Sequence, residues 1–398
     1  MRRIVYFDNN ATTRVAPEVT EAMLPFFSDA YGNPSSMHAF GGDVARHLDA
    51  AREEVAAFFN ASPEEIIFTS CATESDNTAL RGAAEFYGPG TKIVTTKVEH
   101  PAVLQPCRRL KAQGYQVAEV GVDNLGRLDL DELEAQLAGT NKALVSVMWA
   151  NNETGVVFPM AQVAEICREH GAILHTDAVQ VAGKIPVDVK KVGVDLLAMS
   201  GHKFHAPKGV GLLYVRKGTH LKPFMLGGHQ ERGLRAGTEN VPYIVGLAKA
   251  CSLAQGLMAD EAVRLKAMRD KLEAGLLAAC PDMIVNGDRF SRLPGTLNVS
   301  FKYIEGEAIA YHLSDLGICV STGSACASGS LDPSHVIRAM GVPFVAVHGS
   351  VRFSLSRYNT MDEVDYPGGD TARDPQTPRA FAVRTRFRRK HVCLSCCP

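Results

Sequence analysis

Three polar segments that could do chemistry each follow an apolar run typical of a buried strand. The segment 68–80 passes through small polar residues into a helix, where free backbone N–H groups and hydroxyls would suit a phosphate. Asp177 stands just beyond a second strand, and Lys203 stands beyond a third. Taken singly, each has an ordinary alternative: helix capping, a structural carboxylate in a loop, or a lysine that faces solvent.

Together the three segments match what pyridoxal phosphate requires of a protein. A lysine forms a Schiff base with the cofactor, and an aspartate keeps the pyridine nitrogen protonated, so that the ring acts as an electron sink. A helix start binds the phosphate. The sequence therefore predicts a pyridoxal-phosphate site built from Lys203, Asp177 and the start of the helix in 68–80.

Two more predicted strand ends carry polar side chains. His100 follows the strand 92–96, and Asn152 follows the run 143–149. A histidine at this edge could stack on the cofactor ring and move protons near neutral pH. The alternative is a loop histidine that caps neighbouring backbone.

Cys326 lies in the segment 321–330, which holds five hydroxyl side chains and two glycines. A cysteine used only for packing would normally have apolar neighbours. An exposed thiol on a polar loop is suited to act as a nucleophile if its surroundings lower its pKa. Cys319, in contrast, is predicted to be an inert strand residue.

The elements that position these residues predict an α/β fold. Short apolar runs alternate with helical stretches between residues 60 and 255, which favours a mainly parallel sheet covered on both faces. Ligands of such sheets bind at the carboxyl ends of the strands. No G-x-G-x-x-G motif follows an early strand, so a dinucleotide site is unsupported. A helix over 257–280 is predicted to lead into a second domain. The predicted strands are 65–69, 92–96, 143–149, 172–176, 194–199, 210–215, 298–301, 318–320 and 350–355.

Composition excludes several classes of protein. The chain has 398 residues, 46% of them hydrophobic, with 42 Lys plus Arg against 43 Asp plus Glu. It is thus neither a disulfide mini-protein nor a disordered tail, and its charge of −1 gives no average field for nucleic acid or anionic membrane. We see no signal peptide and no apolar run of spanning length, so we expect a soluble cytoplasmic protein with ten free cysteines.

The composition changes after residue 366. Residues 1–366 hold 35 basic and 41 acidic residues, whereas 367–398 hold seven basic and two acidic residues with four prolines and three cysteines. Skipping one base in a back-translation of 367–381 permits a more regular helix-and-proline ending. The atypical basic tail 367–398 is therefore expected to be out-of-frame translation, and a functional tail is the alternative. Resequencing around codon 366 would decide between them.

These motifs, in this order, resemble those of the NifS-like cysteine desulfurases, within the class V branch of fold-type I pyridoxal-phosphate enzymes. The resemblance runs from about residue 6 to residue 358. It implies a large domain over 16–255, with a mainly parallel seven-stranded sheet, and a smaller α+β domain formed by 1–15 with 256–366. The matching segments are 6–13, 31–36, 73–76, 99–103, 151–155, 175–180, 200–203, 227–233, 237–240, 323–326 and 352–357.

The resemblance also implies a role for each matched residue. Lys203 would carry the cofactor, His100 would stack on its ring, and Asp177 would hold the pyridine nitrogen. Gln180 would meet the phenolic oxygen with Asn152 nearby. Arg352 and Asn33 would bind the substrate, with Arg352 clamping its carboxylate, and Cys326 would accept the sulfur. The phosphate would meet Ala72, Thr73, Ser200 and His202, with Thr238 reaching across from the second subunit of a homodimer.

The implied activity is transfer of sulfur from free L-cysteine to Cys326, leaving a persulfide and releasing L-alanine. An iron–sulfur scaffold protein would then accept the sulfur, with Cys326 as a transient contact to the cluster. Residues 227–233 and 237–240 lean towards members dedicated to nitrogenase cluster assembly. The alternatives are a selenocysteine lyase or other class V lyase, and, from a different class, a non-enzymatic iron–sulfur or nucleic-acid-binding protein.

Overall fold

The computed structural model describes residues 3–322 and 332–366, in which strands and helices alternate. Cys326 and the tail 367–398 lie outside the described residues. The strands are β1 Val5–Tyr6, β2 Ile66–Thr69, β3 Lys92–Thr96, β4 Val117–Val120, β5 Ala143–Ser146, β6 Ile173–Asp177, β7 Leu196–Ser200, β8 Gly211–Val215, β9 Ile284–Asn286, β10 Thr296–Ser300, β11 Ile318–Cys319 and β12 Ser350–Ser354. The α-helices are α1 Pro17–Met23, α2 Pro25–Ser28, α3 Ala39–Phe58, α4 Ala72–Tyr87, α5 Pro101–Ala112, α6 Leu130–Leu137, α7 Met160–Glu169, α8 Val189–Val192, α9 Val241–Ala279, α10 Gly306–Asp315, α11 His335–Ala339, α12 Phe344–Val347 and α13 Met361–Val364. Short 3-10 helices cover Pro63–Glu65, Gly201–Lys203 and Gln230–Gly233.

A seven-stranded sheet forms the centre of the larger part, in the order β2-β8-β7-β6-β5-β3-β4. β8 runs antiparallel to both of its neighbours, and every other pair is parallel. Every residue of β2, β5 and β7 is buried, which is expected of strands covered by helices on both faces. The predicted α/β class and mainly parallel sheet are confirmed.

Strands β1, β4 and β9 are absent from the predicted strands, and one predicted helix begins at a different residue. β4 was not predicted because it is a half-exposed edge strand with a glutamate inside it, so it lacks a continuous apolar run. The predicted connector helix over 257–280 begins earlier, at Val241, as α9. Pro242 occupies its first turn, and its first half is buried against α1 and α3.

The length and composition of α9 alone would allow it to cross a membrane. It is a helix of 39 residues, and 44% of its most apolar stretch is buried inside the protein. Its contacts with α1, α3 and β10 are those of a core helix, and one such helix is weak evidence for a membrane span.

A second hydrophobic core lies beside the first. It is built around the antiparallel sheet β12-β10-β9 and the parallel pair β1-β11, with the C-terminal half of α9 packed on them. Its buried residues come from both ends of the described chain, for example Val5 and Phe7 with Leu272 and Phe353. The predicted domain boundaries at 15/16 and 255/256 remain a prediction.

Gly155 joins the two parts of the fold at close range. It lies in the turn after β5 with φ +76°, and a Cβ atom there would stand 2.7 Å from Thr296 Cβ on β10. The backbone of the turn also binds the second part, because Leu293 N donates to Gly155 O at 2.8 Å. A side chain at this position would force the turn away from β10.

We expect Gly155→Ala to destabilise the protein by about 3 kcal/mol, because left-handed backbone and steric overlap both penalise the new methyl group. Gly139→Ala is the matched control: its φ is +69°, but its Cβ would meet open space. That control should cost only about 1 kcal/mol. Thermal unfolding of the full chain measures both variants. Equal shifts would contradict a close contact at Gly155.

Candidate active site at the carboxyl edge of the sheet

Lys203 lies at the end of a 3-10 turn that directly follows β7. Its ammonium Nζ donates to the carbonyl oxygens of Asn10, at 2.7 Å, and Ala11, at 2.8 Å. His202 Nδ1 meets Thr12 Oγ1 at 3.1 Å. The segment after β1 therefore lies against the lysine.

Asp177 is the last residue of the neighbouring strand β6 and is buried. Its Oδ1 accepts from Val179 N at 2.9 Å. Burial raises the pKa of Asp177 to about 6, against the opposing effects of the Val179 N–H and of Lys203. A carboxylate so enclosed is stabilised by a cationic partner, which a protonated pyridine nitrogen would supply.

The start of α4 fits a phosphate group. Its N-cap residue, Cys71, makes no side-chain cap to the helix, so the backbone N–H groups of the first turn are left for another acceptor. Ser200 Oγ is buried, with no hydrogen-bond partner among the described residues. Gly211 lets β8 approach Cys71, since a Cβ there would lie 2.9 Å from Cys71 Cα.

The other predicted phosphate contacts differ in their exposure in the single chain. Ala72 is buried and Thr73 is exposed, both in the first turn of α4. Thr238 is also exposed, three residues beyond Arg235, whose Nε donates to Glu74 Oε1 at 3.0 Å. The segment that carries Thr238 is thereby fastened beside α4. Its contact with a second subunit remains a prediction.

His100 is the N-cap of α5, and its Nδ1 accepts from Ala102 N at 3.1 Å. Burial, together with the charges of Lys203 and His335, lowers the pKa of His100 to about 4. His100 therefore caps the helix, as the alternative interpretation predicts, and it also lies close enough to Lys203 for the charge of the lysine to act on its ring. At neutral pH the ring is neutral.

A row of buried acidic groups lies behind these residues, and the sequence analysis did not single it out. Glu99 Oε1 accepts from Met148 N at 2.8 Å and from Thr96 Oγ1 at 3.0 Å, and burial raises the pKa of Glu99 to about 8. Asp76 on α4 faces His175 Nε2 at 3.4 Å, and burial raises its pKa well above the usual range. Asp76 lies in the matched segment 73–76 and Glu99 in the matched segment 99–103, so the sequence resemblance could have pointed to both acids.

Arg352 on β12 is buried and engaged by two oxygens. Its Nη2 donates to Asp8 Oδ1 at 2.7 Å and its Nη1 to Asn152 O at 2.9 Å. The Nε of Arg352 is buried with no hydrogen-bond partner among the described residues, and the role of Arg352 in binding substrate remains a prediction. Asn33 lies on the exposed loop before α3, where its Oδ1 accepts from Ser35 N. Its role in binding substrate remains a prediction.

Gln180 binds two residues that the sequence analysis did not assign. Its Nε2 donates to Asn10 O at 3.1 Å, and its Oε1 accepts from Lys184 Nζ at 2.7 Å. Lys184 Nζ also donates to Asn10 Oδ1 at 2.9 Å, and Asn10 Nδ2 donates to Asn152 O at 3.2 Å. Asn10 was available from the matched segment 6–13. Nothing in the sequence distinguished Lys184 from a surface lysine.

Cys326 lies outside the described residues, but both flanks of its segment contact the site. Before it, Ser321 pairs with Arg352 through two backbone hydrogen bonds, at 3.2 and 2.7 Å. After it, Ser334 Oγ donates to Glu153 Oε2 at 2.6 Å, and His335 Nε2 meets Glu99 O at 2.9 Å. The flank before Cys326 thus contacts Arg352, and the flank after it lies beside His100. Among residues 3–322 and 332–366 no group of three or more His, Cys, Asp or Glu could hold a metal ion.

Comparison with known proteins places this geometry in a family. The family profile of class V aminotransferases matches residues 5–366, and so ends where the composition changes. A cysteine desulfurase of Trichormus azollae is 56% identical over 363 residues, covering 91% of this chain and 90% of that protein. The cysteine desulfurase NifS of Azotobacter vinelandii is 53% identical over 362 residues, with the same shares of the two chains. A solved structure of a NifS-like protein has a TM-score of 0.86 and 44% identity, covering 92% of this chain and 97% of its own.

We expect Glu99→Gln to weaken the dependence of stability on pH. Because the pKa of Glu99 rises from 4.5 to about 8 on folding, the folded protein holds more protons than the unfolded chain between these values. The contribution of Glu99 to stability is therefore greatest below pH 4.5 and is lost as the pH rises towards 8. Thermal midpoints at pH 5 and pH 8 should differ less in the variant than in the wild type. Glu64→Gln, at an exposed carboxylate, is the control, and a fall as steep as that of the wild type in Glu99→Gln would refute the assignment.

Proposed function

Because this chain belongs to the class V aminotransferase family and, within it, to the NifS-like cysteine desulfurases, we propose that it removes sulfur from free L-cysteine with pyridoxal phosphate bound at Lys203. One observation carries the proposal. Lys203 and the buried Asp177 follow adjacent strand ends, close to a helix start with no side-chain cap. When bound, the cofactor supplies an electron sink for the amino group of the substrate.

The donors and acceptors of the site fit that cofactor. Lys203 would bind its aldehyde carbon, and Asp177 would pair with its pyridine nitrogen. The first turn of α4 and the Ser200 hydroxyl would bind its phosphate, which gives the buried Ser200 Oγ a partner. Gln180 would contribute an amide N–H towards the phenolic oxygen.

Lys203 and His100 have distinct roles in proton transfer. The Lys203 amine lies at the carbonyls of Asn10 and Ala11, which would hold it whenever it is not bound to the cofactor. His100 Nδ1 accepts a backbone hydrogen bond, so its neutral ring carries the proton on Nε2. We therefore assign proton transfer to the Lys203 amine, which can take up and return a proton, and we assign to the neutral His100 ring a hydrogen bond from Nε2 that orients the groups exchanging protons.

Arg352 would orient the substrate through its carboxylate. Its guanidinium is held by Asn152 O and by Asp8, and a carboxylate is a stronger partner than a backbone carbonyl. Substrate binding would displace Asp8 from Arg352. The exchange places one carboxylate where another had been, so it adds no unpaired charge to a buried position.

The sulfur passes to Cys326 in a balanced step. The Cys326 thiolate attacks the substrate sulfur, the carbon–sulfur bond breaks, and its electron pair stays with the carbon fragment. That fragment takes up protons and leaves as L-alanine, and the persulfide remains on Cys326. One cysteine and one thiol thus give one alanine and one persulfide, with no external oxidant.

The wider setting belongs to the same proposal. The protein would act in the cytoplasm as a homodimer, with Thr238 of one subunit serving the phosphate site of the other. The persulfide would pass to an iron–sulfur scaffold protein, with Cys326 as a transient contact to the cluster. The similarity to NifS of Azotobacter vinelandii favours clusters for nitrogenase.

The purified protein loaded with pyridoxal phosphate should release alanine and sulfide from L-cysteine and show a visible absorbance band of the bound cofactor. Lys203→Ala should lose both, because no other residue would form the covalent link. A chain that binds iron–sulfur clusters or nucleic acid and shows no such band would refute the proposal. Faster turnover of L-selenocysteine than of L-cysteine would instead favour a lyase.

Cys326→Ser should keep the cofactor band and lose at least about a hundredfold in alanine and sulfide release, because a serine hydroxyl cannot accept the sulfur. Cys319→Ser is the matched control. Burial raises the pKa of the Cys319 thiol, so this cysteine is largely protonated and unreactive. The control should turn over at a rate close to that of the wild type. Sustained release by Cys326→Ser would exclude Cys326 as the acceptor.

A further inference from the structure

Lys184 points its amine into the site from the turn after β6. It lies four residues after Gln180, and its Nζ donates to Gln180 Oε1 and to Asn10 Oδ1 at 2.7 and 2.9 Å. Burial, with the charges of Lys203 and Arg352, lowers its pKa well below the usual range. A lysine in such a position needs a reason, because a neutral side chain would avoid that penalty.

The contact with Gln180 fixes which way its amide faces. The two ends of a glutamine amide differ, because the oxygen accepts hydrogen bonds and the nitrogen donates them. The Lys184 Nζ is a donor, so it binds the oxygen end. Lys184 therefore selects the rotamer in which Oε1 faces it and Nε2 faces Asn10 O. One N–H of that Nε2 is used by Asn10 O, and the other remains for the cofactor.

The contact with Asn10 fixes a second amide in the same way. With Oδ1 turned towards Lys184, Nδ2 is turned towards Thr296 Oγ1, at 3.0 Å, and Asn152 O, at 3.2 Å. Asn152 O is the same carbonyl that accepts from Arg352 Nη1. A chain of contacts thus runs from Gln180 on the cofactor side to Arg352 on the substrate side.

We propose that Lys184 is a positioning residue, whose amine sets the orientation of the Gln180 and Asn10 amides and so aligns the cofactor's phenolic oxygen and the substrate's arginine. The proposal rests on the proposed function and adds to it a residue that touches neither cofactor nor substrate.

The charges around Lys184 come from several elements. Lys203 and Arg352 lower its pKa, and Lys184 in turn lowers the pKa of His202 and His205. Lys184 also lines a small, partly open cavity of about 30 Å³ with other residues of both parts of the fold: Asn10, Lys203, His205, Glu261 and Arg357. The open space means that a side chain of similar length can replace the lysine without overpacking.

Lys184→Met removes the donor and the charge at nearly constant length. We expect the pH midpoint of the visible band of the bound cofactor to rise, since the Gln180 N–H that would stabilise the ionised phenolic oxygen is no longer held towards it. We also expect kcat/KM for L-cysteine to fall at least about tenfold. Lys184→Arg keeps charge and donors and should recover much of both effects. Lys190→Met, at an exposed lysine on α8, should match the wild type.

A second comparison tests whether Lys184 acts through Gln180. In a Gln180→Ala background the further loss of kcat/KM caused by Lys184→Met should be smaller than in the wild type, because the amide it orients is gone. If Lys184→Met does not fold, Lys184→Gln takes its place in the same measurements. Because a glutamine amide can turn either end to Gln180, it does not fix the Gln180 amide, and a loss of kcat/KM is expected. A wild-type value would overturn the role of Lys184.

The outcomes separate this proposal from the proposed function. A wild type with the cofactor band and alanine release, together with a Lys184→Met protein that has the same midpoint and kcat/KM, would overturn the role of Lys184 alone. Equal losses in both backgrounds would overturn its action through Gln180. A wild type without the band would overturn the function, and the role of Lys184 with it.

Discussion

The active-site edge of the seven-stranded sheet encloses several ionisable groups, and the surrounding structure must supply a partner for each charge that remains there. Asp76, Glu99 and Asp177 are enclosed, and burial raises the pKa of each of them. A charge without a partner in such a place costs several kcal/mol, so each group must be neutralised, paired or hydrogen-bonded. At pH 7 Glu99, with a pKa of about 8, is mostly protonated, whereas Asp177, with a pKa of about 6, is mostly ionised and would pair with a cationic ring nitrogen.

The cations of the same edge are stabilised by backbone oxygen as well as by acids. Lys203 binds two carbonyls of the segment after β1, and Arg352 shares its guanidinium between Asp8 and Asn152 O. Carbonyl groups accept an amine without an ionic bond that would have to break in each cycle. The N-terminal residues are therefore part of the active site and not only a strand of the second core.

The sheet and the key pair of the site could be predicted from sequence because their signals are local. Most strands are short apolar runs. Asp177 is the last residue of one of them, and Lys203 ends the 3-10 turn that follows another. β4 was missed because an edge strand has no continuous apolar signal. Lys184 and the Asp8–Arg352 pair could not be assigned because their contacts join residues far apart in the sequence, 174 positions for Lys184 with Asn10 and 344 positions for Asp8 with Arg352. Local patterns carry no information about such contacts.

One long element limits how the two parts of the fold can move. α9 runs without interruption from the first core to the second, and its 39 residues span about 58 Å at 1.5 Å per residue. Rotating the first core against the second would bend α9, and the backbone hydrogen bonds of the helix oppose bending. The helix therefore acts as a brace. Movement at the site would then come from single side chains and short connections, and not from rotation of one part of the fold against the other.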